Sequence, residues 1–166
     1  MKRKVYSLLV ENNYGVLSRI AGLFSRRGYN IDSITSGVTT DVRFTRITVV
    51  ASGDEQILSQ IEKQLRKLED VRDIKELKDD SSVCRELVMV KINVDAARRA
   101  EVITIADIFR AKIVDVEPES MIIELTGTQS KIEALIKMLN EYGILELART
   151  GITGLSRGSD DVKWFD

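Results

Sequence analysis

The chain has 166 residues, with 25 lysines and arginines against 26 aspartates and glutamates and no histidine. Its 43% hydrophobic and 31% charged residues are typical of a globular protein, and a net charge of −1 gives no general basic footprint for nucleic acid. Without histidine the chain has no His-dependent triad and no His-based metal site, and one cysteine excludes an internal disulfide and a Cys-cluster zinc site. We therefore expect a binding protein rather than an enzyme, with no catalytic residues and no metal ligands.

The first half of the chain has the pattern of six elements in the order β-α-β-β-α-β. Apolar alternation, helical spacing of apolar residues and turn residues place them as follows: a strand over 5–11, a helix over 16–27, strands over 30–38 and 44–51, a helix over 57–68 and a strand over 71–77. The polar stretch 78–84 is a linker by composition. As a nucleophile its Cys84 would need a base that the sequence lacks in its usual form, and its two adjacent aspartates are typical of a solvated linker.

The same order of elements returns after the linker, so the sequence contains an internal repeat. Strands over 86–94, 112–116, 121–125 and 144–148 alternate with helices over 96–109 and near 132–139. In the second half of each repeat Gly53, Leu58, Ile61, Leu65 and Val71 align without gaps with Gly127, Ile132, Leu135, Leu139 and Leu145. We expect an α+β protein of two tandem βαββαβ ferredoxin-like domains, with antiparallel sheets and helices on one face of each.

Each predicted domain is small and has helices on one sheet face only. A domain of this size buries only about 60% of the surface of its unfolded chain, so a bare second face is a liability. Pairing between the two domains or between two chains would remove it, and we expect at least a homodimer.

The turn between the first strand and the first helix is the most informative stretch. It reads Glu11-Asn12-Asn13-Tyr14-Gly15-Val16-Leu17. The first N–H groups of a helix suit a carboxylate, and glycine lets a ligand approach the backbone. The amides of Asn12 and Asn13 can bind an ammonium and a carboxylate, and Val16 and Leu17 can line an apolar pocket. The turn therefore suits an amino acid, although an asparagine N-cap followed by a permissive glycine explains the same residues.

A third amide, Asn30, precedes the second strand, where asparagine is also a common turn residue. The equivalent turn of the second repeat, residues 94–98, lacks glycine and paired amides. If the first turn binds a ligand, the second repeat has another role.

The first repeat resembles an ACT domain, the βαββαβ module that senses small molecules, usually amino acids. More closely, several motifs resemble the regulatory (small) subunit family of acetohydroxyacid synthase, also called acetolactate synthase. They are LLVEN at 8–12, GVLSR at 15–19, LFSRRGYNIDS at 23–33, IFRAKIVDV at 108–116, ARTG at 148–151 and LSRG at 155–158. The resemblance implies an ACT domain over 4–77, a linker over 78–84, a C-terminal ACT-like domain over 85–158 and a tail over 159–166.

The resemblance also implies a function and a site. Small subunits of this family raise the activity of a catalytic large subunit and confer feedback inhibition by a branched-chain amino acid, most often valine. The cofactors thiamine diphosphate, Mg²⁺ and flavin belong to that large subunit, so none is expected in this chain. ACT domains pair side by side, and the family motif assigns effector contacts to Asn12 and Gly15 of one chain and to Asn30 of its partner, with Asn13, Val16, Leu17 and Ile31 beside them.

Three other functions fit parts of the pattern. The same order of elements is that of the RNA recognition motif, but the expected strands carry only Tyr6 and Phe44 as aromatics for base stacking. An enzyme would have to use Glu11, Asp32 and Arg43, without a paired carboxylate motif or a phosphate loop to support them. A stand-alone amino-acid-sensing ACT protein is the better alternative. The basic residues and the apolar stretch at the start of the chain resemble a signal peptide, but the stretch ends at Glu11 and no cleavage site follows, so we expect a cytoplasmic protein. No apolar run is long enough for a membrane span, and we expect no nucleic-acid partner.

Overall fold

The computed structural model describes residues 1–162 and divides the chain into two units. The first unit contains residues 1–84 together with the described residues from Ile152 onward, and the second unit is Arg85–Gly151. The end of the predicted tail, including Trp164 and Phe165, lies outside the described residues.

Four strands and two helices build the body of the first unit. In chain order they are β1 (Lys2–Glu11), α1 (Val16–Arg26), β2 (Ile31–Val38), β3 (Phe44–Gly53), α2 (Glu55–Arg66) and β4 (Val71–Glu76). The sheet order is β2-β3-β1-β4, and β1 pairs antiparallel with both β3 and β4. The sheet order makes β2 an edge strand. Because β2 is also antiparallel to β3, β2 runs in the same direction as β1.

The core of the first unit lies between this sheet and its two helices. Apolar residues recur every three or four positions in α1 and α2, so each helix turns one apolar stripe toward the sheet. Alternate residues of β1 and β3 meet these stripes. The fully buried members of the cluster are Tyr6, Leu8, Val10, Ile20, Ile47, Val49, Ala51, Leu58, Ile61 and Leu65.

The second unit repeats the arrangement, which confirms the predicted fold class. Its elements are β5 (Ser82–Asn93), α3 (Arg99–Phe109), β6 (Lys112–Glu117), β7 (Ser120–Gly127), α4 (Gln129–Leu139) and β8 (Ile144–Arg149), with sheet order β6-β7-β5-β8. The alternation predicted for β5 is present, because Val88, Val90 and Ile92 are fully buried and the intervening Met89 is 43% exposed. β5 begins inside the predicted linker, at Ser82.

The C-terminal segment, residues 152–162, differs from the predicted domain boundaries. The sequence placed residues up to 158 in the second domain, but the structure groups this segment with the first unit. A short strand within it, β9 (Thr153–Ser156), pairs with β5. The backbone N–H of Arg157 donates to the carbonyl of Ser81 at 2.8 Å. The four-residue strand was not predicted because its pairing partner lies about seventy positions earlier in the chain.

The C-terminal segment also contacts the sheet face that the sequence left bare. Thr35, Thr48, Ser7 and Lys75 are paired neighbours across the four strands, so their side chains share the face opposite the helices. Thr35 Oγ1 donates to the carbonyl of Ile152 at 3.3 Å, and Lys75 Nζ lies 3.3 Å from a carboxylate oxygen of Asp161. The expectation of an uncovered second face is therefore wrong for the first unit, because the chain's own end lies over polar side chains of that face.

A glycine makes this return path possible. A Cβ atom on Gly154 would lie 2.7 Å from Cys84 Sγ and 2.8 Å from the carbonyl oxygen of Val83, closer than packed atoms approach each other. We expect Gly154→Ala to lower the free energy of unfolding by about 1–3 kcal/mol, the usual cost of an overpacked contact. Denaturant unfolding measures this, with Gly37→Ala as the matched control because no heavy atom lies within 4 Å of its Cβ position. Equal midpoints for the two variants would contradict the packing argument.

Candidate functional site

The turn from β1 into α1 depends on a left-handed residue at Gly15. Its φ is 80° and its ψ is 4°, and α1 begins at the next residue, Val16. A residue with a Cβ atom adopts this conformation at a cost of about 1–2 kcal/mol, which glycine avoids. Gly15 occupies the N-cap position, so the explanation of the turn as an asparagine N-cap is wrong.

The N-terminus of α1 is not capped by a side chain. Among residues 1–162 no side-chain cap hydrogen bond to its first N–H groups is present, and its first turn contains no acidic residue. In α2 and α4, by contrast, Asp54 and Thr128 each accept from the N–H three residues later, at 2.8 and 3.4 Å. The first N–H groups of α1 therefore keep their partial positive charge, because no capping side chain accepts a hydrogen bond from them.

The two asparagines of the turn use their amide nitrogens within the protein. Asn12 Nδ2 donates to the carbonyl of Val42 at 2.9 Å, and Asn13 Nδ2 donates to Glu11 Oε2 at 3.1 Å. Both side chains are exposed. With the nitrogens engaged, the amide oxygens are the groups best placed to accept hydrogen bonds from a ligand, as an ammonium group would require.

The loop between β2 and β3 fixes the position of Asn12. Arg43 Nη2 lies 2.6 Å from Asp41 Oδ2, and this ion pair lowers the pKa of Asp41 to about 2. The backbone N–H of Asn12 donates to the carbonyl of Arg43 at 2.8 Å, beside the contact of its side chain with Val42. The loop therefore supplies two carbonyl groups that hold Asn12 in one orientation.

A cleft of about 390 Å³ opens beside this turn. The sequence predicted Asn12, Asn13, Gly15, Val16 and Leu17 at the site, and the structure brings all five together around the cleft. Val16 is buried in the core and Leu17 is 48% exposed at the rim. The remaining lining residues are Val10, Glu11, Tyr14, Ser18, Ser36, Thr45 and Ile47. Ser36, Thr45 and Ile47 come from β2 and β3, and no local pattern pointed to them because long-range strand pairing brings them here.

Asn30 and Ile31 lie at the other end of the same sheet. Ile31 pairs with Ala51, which pairs with Lys4 near the start of β1, whereas the turn follows Glu11. Seven residues of strand separate these rows, which corresponds to about 24 Å at 3.4 Å per residue. Within one chain Asn30 therefore cannot reach the turn, and its predicted effector contact requires a second copy of the chain.

The second unit fills the equivalent position with its own carboxylate. Asp95 Oδ1 accepts from the backbone N–H groups of Ala97 and Arg98 at 3.1 and 3.3 Å, immediately before α3. These two N–H groups precede α3, and the side chain at the N-cap of α3, Arg98, makes no capping hydrogen bond. The equivalent turn of the second unit thus contains a hydrogen-bonded carboxylate in place of the glycine and paired amides of the first.

The residues that an enzyme would have to use are separate from one another. Glu11 forms an ion pair with Arg72, Arg43 pairs with Asp41, and Asp32 accepts from Ser52 at the far end of the sheet. Among residues 1–162 no group of three or more metal-ligating side chains could hold a metal ion. Within the same residues no helix is both long and apolar enough to cross a membrane.

Comparisons with known proteins agree on one family. Residues 6–73 match the model of the AHAS small subunit-like ACT domain, and residues 85–158 match the small subunit of acetolactate synthase. The chain is 48% identical over 152 residues to the acetolactate synthase small subunit of Mycolicibacterium smegmatis, covering 92% of this chain and 89% of the relative. It is 44% identical over 161 residues to that of Haemophilus influenzae, covering 96% and 99%.

A solved structure supports the same conclusion. The acetolactate synthase small subunit from Thermotoga maritima superposes with a TM-score of 0.87 at 38% identity, covering 96% of this chain and 99% of that one. Fold and site together define a regulatory protein with an ACT domain. Within that class, the chain belongs to the family of acetolactate synthase small subunits.

The carboxylate in the second unit gives a prediction about stability. We expect Asp95→Ala to lower the free energy of unfolding by about 1 kcal/mol, because the N–H groups that it accepts from lose their partner. Asp95→Asn should retain most of the stability, since asparagine accepts at such positions nearly as well. Thermal or denaturant unfolding checks this, and an alanine variant as stable as the wild type would show that these hydrogen bonds do not stabilise the turn.

Proposed function

We propose that this chain binds to the catalytic large subunit of acetolactate synthase, raises its activity and makes it sensitive to a branched-chain amino acid, most of all valine. The observation that carries the proposal is the helix N-terminus at Gly15, which lacks a side-chain cap and lies beside two amides and a cleft of about 390 Å³. Membership of the small-subunit family supports the choice of partner.

The geometry suggests how an amino acid would bind. Its carboxylate would accept from the first N–H groups of α1, where the helix dipole favours negative charge. Its ammonium would donate to the amide oxygens of Asn12 and Asn13. Its side chain would enter the cleft toward Ile47, where each buried methylene contributes about 0.8 kcal/mol, so that valine binds more tightly than alanine.

A second copy of the chain would complete the site. β2 is an edge strand, and its end near Ser36 lies at the same end of the sheet as the Gly15 turn. If two copies pair antiparallel along β2, the start of the partner's strand comes next to the end of this one. Asn30 and Ile31 of the partner would then lie beside the turn, which agrees with the contacts that the family motif assigns.

The reaction itself belongs to the large subunit. We propose that thiamine diphosphate, Mg²⁺ and flavin are bound there, and that the large subunit condenses pyruvate with pyruvate or 2-oxobutyrate on the route to valine, leucine and isoleucine. This chain would contribute only the regulatory surface and the effector site, in the cytoplasm.

Reconstitution with the large subunit tests activation and feedback together. The chain alone should form no acetolactate from pyruvate, and the mixture should be more active than the large subunit alone and inhibited by valine. Gly15→Asp should abolish inhibition and valine binding while activation is largely retained, because its carboxylate occupies the N–H groups and repels that of the ligand. Loss of a coupling free energy of about 1–3 kcal/mol between effector binding and the large subunit is enough to remove the inhibition.

Gly158→Asp is the matched control for Gly15→Asp. Gly158 also has a positive φ, 76°, and no heavy atom lies within 4 Å of its Cβ position. The control introduces the same charge at another positive-φ glycine, away from the turn. If both variants keep valine inhibition, or if calorimetric titration of the wild type detects no binding of valine, leucine or isoleucine, the site is wrongly placed.

The alternative is a stand-alone amino-acid sensor without a synthase partner. A pull-down from the native cells separates the two functions, because only a regulatory subunit should retain a thiamine-dependent large subunit. Recovery of the chain without that subunit, together with valine binding, would favour the stand-alone sensor.

The shared site predicts the assembly state. Sedimentation equilibrium at micromolar concentration should give at least a dimer, and valine should strengthen the association because it contacts both copies. A monomer with and without valine would contradict a site that needs Asn30 from a partner.

A further inference from the structure

Arg19 connects the Gly15 turn to the segment between α2 and β4. It is the fourth residue of α1, and helical side chains extend back toward the N-terminus, which brings its guanidinium beside the turn. Its Nη2 donates to the carbonyl of Tyr14 at 3.1 Å, and its Nε donates to Asp70 Oδ2 at 2.6 Å. One side chain therefore holds the residue before Gly15 and a carboxylate from the connection between α2 and β4.

The backbone of Asp70 also contacts the turn. Its carbonyl accepts from the N–H of Glu11 at 2.8 Å. The hydrogen bond from Arg19 lowers the pKa of the Asp70 carboxyl. The carboxylate is 15% exposed, so it is held close to the protein surface beside Arg19.

Helix stability does not explain a cation at this place. A positive charge near a helix N-terminus opposes the macrodipole, and an exposed ion pair contributes little to folding. The Arg19 side chain is 48% exposed. The contacts instead fix the path of the backbone through Tyr14 and Gly15. The guanidinium group is rigid and planar, so it can donate to two acceptors at once in a fixed geometry.

We propose that Arg19 and Asp70 are positioning residues that hold the Gly15 turn in its ligand-binding conformation and thereby set the affinity for the effector. This inference rests on the proposed function, since it concerns the same turn. When the Arg19 contacts are absent, Tyr14 loses a hydrogen-bond donor and the turn is free to leave the left-handed geometry. The binding-competent fraction then falls, and the apparent dissociation constant rises by the same factor.

The test compares Arg19→Gln, Arg19→Lys and Asp70→Asn with Arg66→Gln. Arg66 is a matched control because it forms an ion pair with Glu62 at 3.0 Å, also on a helix surface of the first unit, with its side chain 56% exposed. Valine titration should give a dissociation constant about tenfold higher for Arg19→Gln and Asp70→Asn, if the competent fraction falls to about one tenth. Arg19→Lys should lie between, because an ammonium group lacks the planar fork. Arg66→Gln should bind valine as the wild type does.

A second measurement separates positioning from a general structural role. Amide hydrogen exchange in the absence of valine should accelerate at residues 13–17 in Arg19→Gln and Asp70→Asn and nowhere else in the first unit, with urea midpoints equal to that of Arg66→Gln. Faster exchange throughout the unit, or an unchanged valine affinity in Arg19→Gln, overturns the proposal. A wild type that binds no branched-chain amino acid overturns the proposed function and this inference with it, whereas normal wild-type binding with an unaffected Arg19→Gln overturns the inference alone.

Discussion

The left-handed backbone at Gly15 is the constraint on which the ligand turn depends. With φ at 80° at Gly15 the chain passes from the end of β1 into α1 within four residues, and the N-cap residue offers no side-chain hydrogen bond to the first N–H groups of the helix. Asn12 is held by the β2–β3 loop, and Tyr14 is held by Arg19. These contacts come from two separate parts of the first unit, the β2–β3 loop and α1, so the conformation of the turn depends on the folding of both.

The two repeats place different side chains in equivalent turns. Both have a turn between a central strand and a helix. In the first the turn carries glycine and two amides, and in the second Asp95 accepts from the backbone N–H groups of Ala97 and Arg98, just before the helix begins. A protein carboxylate at that turn adds negative charge beside the helix start and so disfavours a second carboxylate there.

The order of elements and part of the candidate site could be predicted from the sequence, because both depend on local patterns of residues. Apolar periodicity and turn glycines predicted the order of elements in both units, and the five residues predicted in the Gly15 turn line one cleft. The walls of the cleft were beyond reach, because Ser36, Thr45 and Ile47 arrive by pairing between distant strands. The role of Arg19 was hidden for the same reason, since its partner Asp70 lies 51 positions along the chain. The pairing of the C-terminal segment with β5 was not predicted either, because a four-residue strand carries too little pattern to reveal its partner.

The position of that segment sets an order of events during synthesis. Strands β1 to β4 leave the ribosome first, but the residues that lie over Thr35 and Lys75 are made only after the entire second unit. The first unit therefore waits, with polar side chains of one sheet face still in water, until residues 152–162 have been made. Contacts between such distant positions close slowly, and they tie the final form of the first unit to the synthesis of the second.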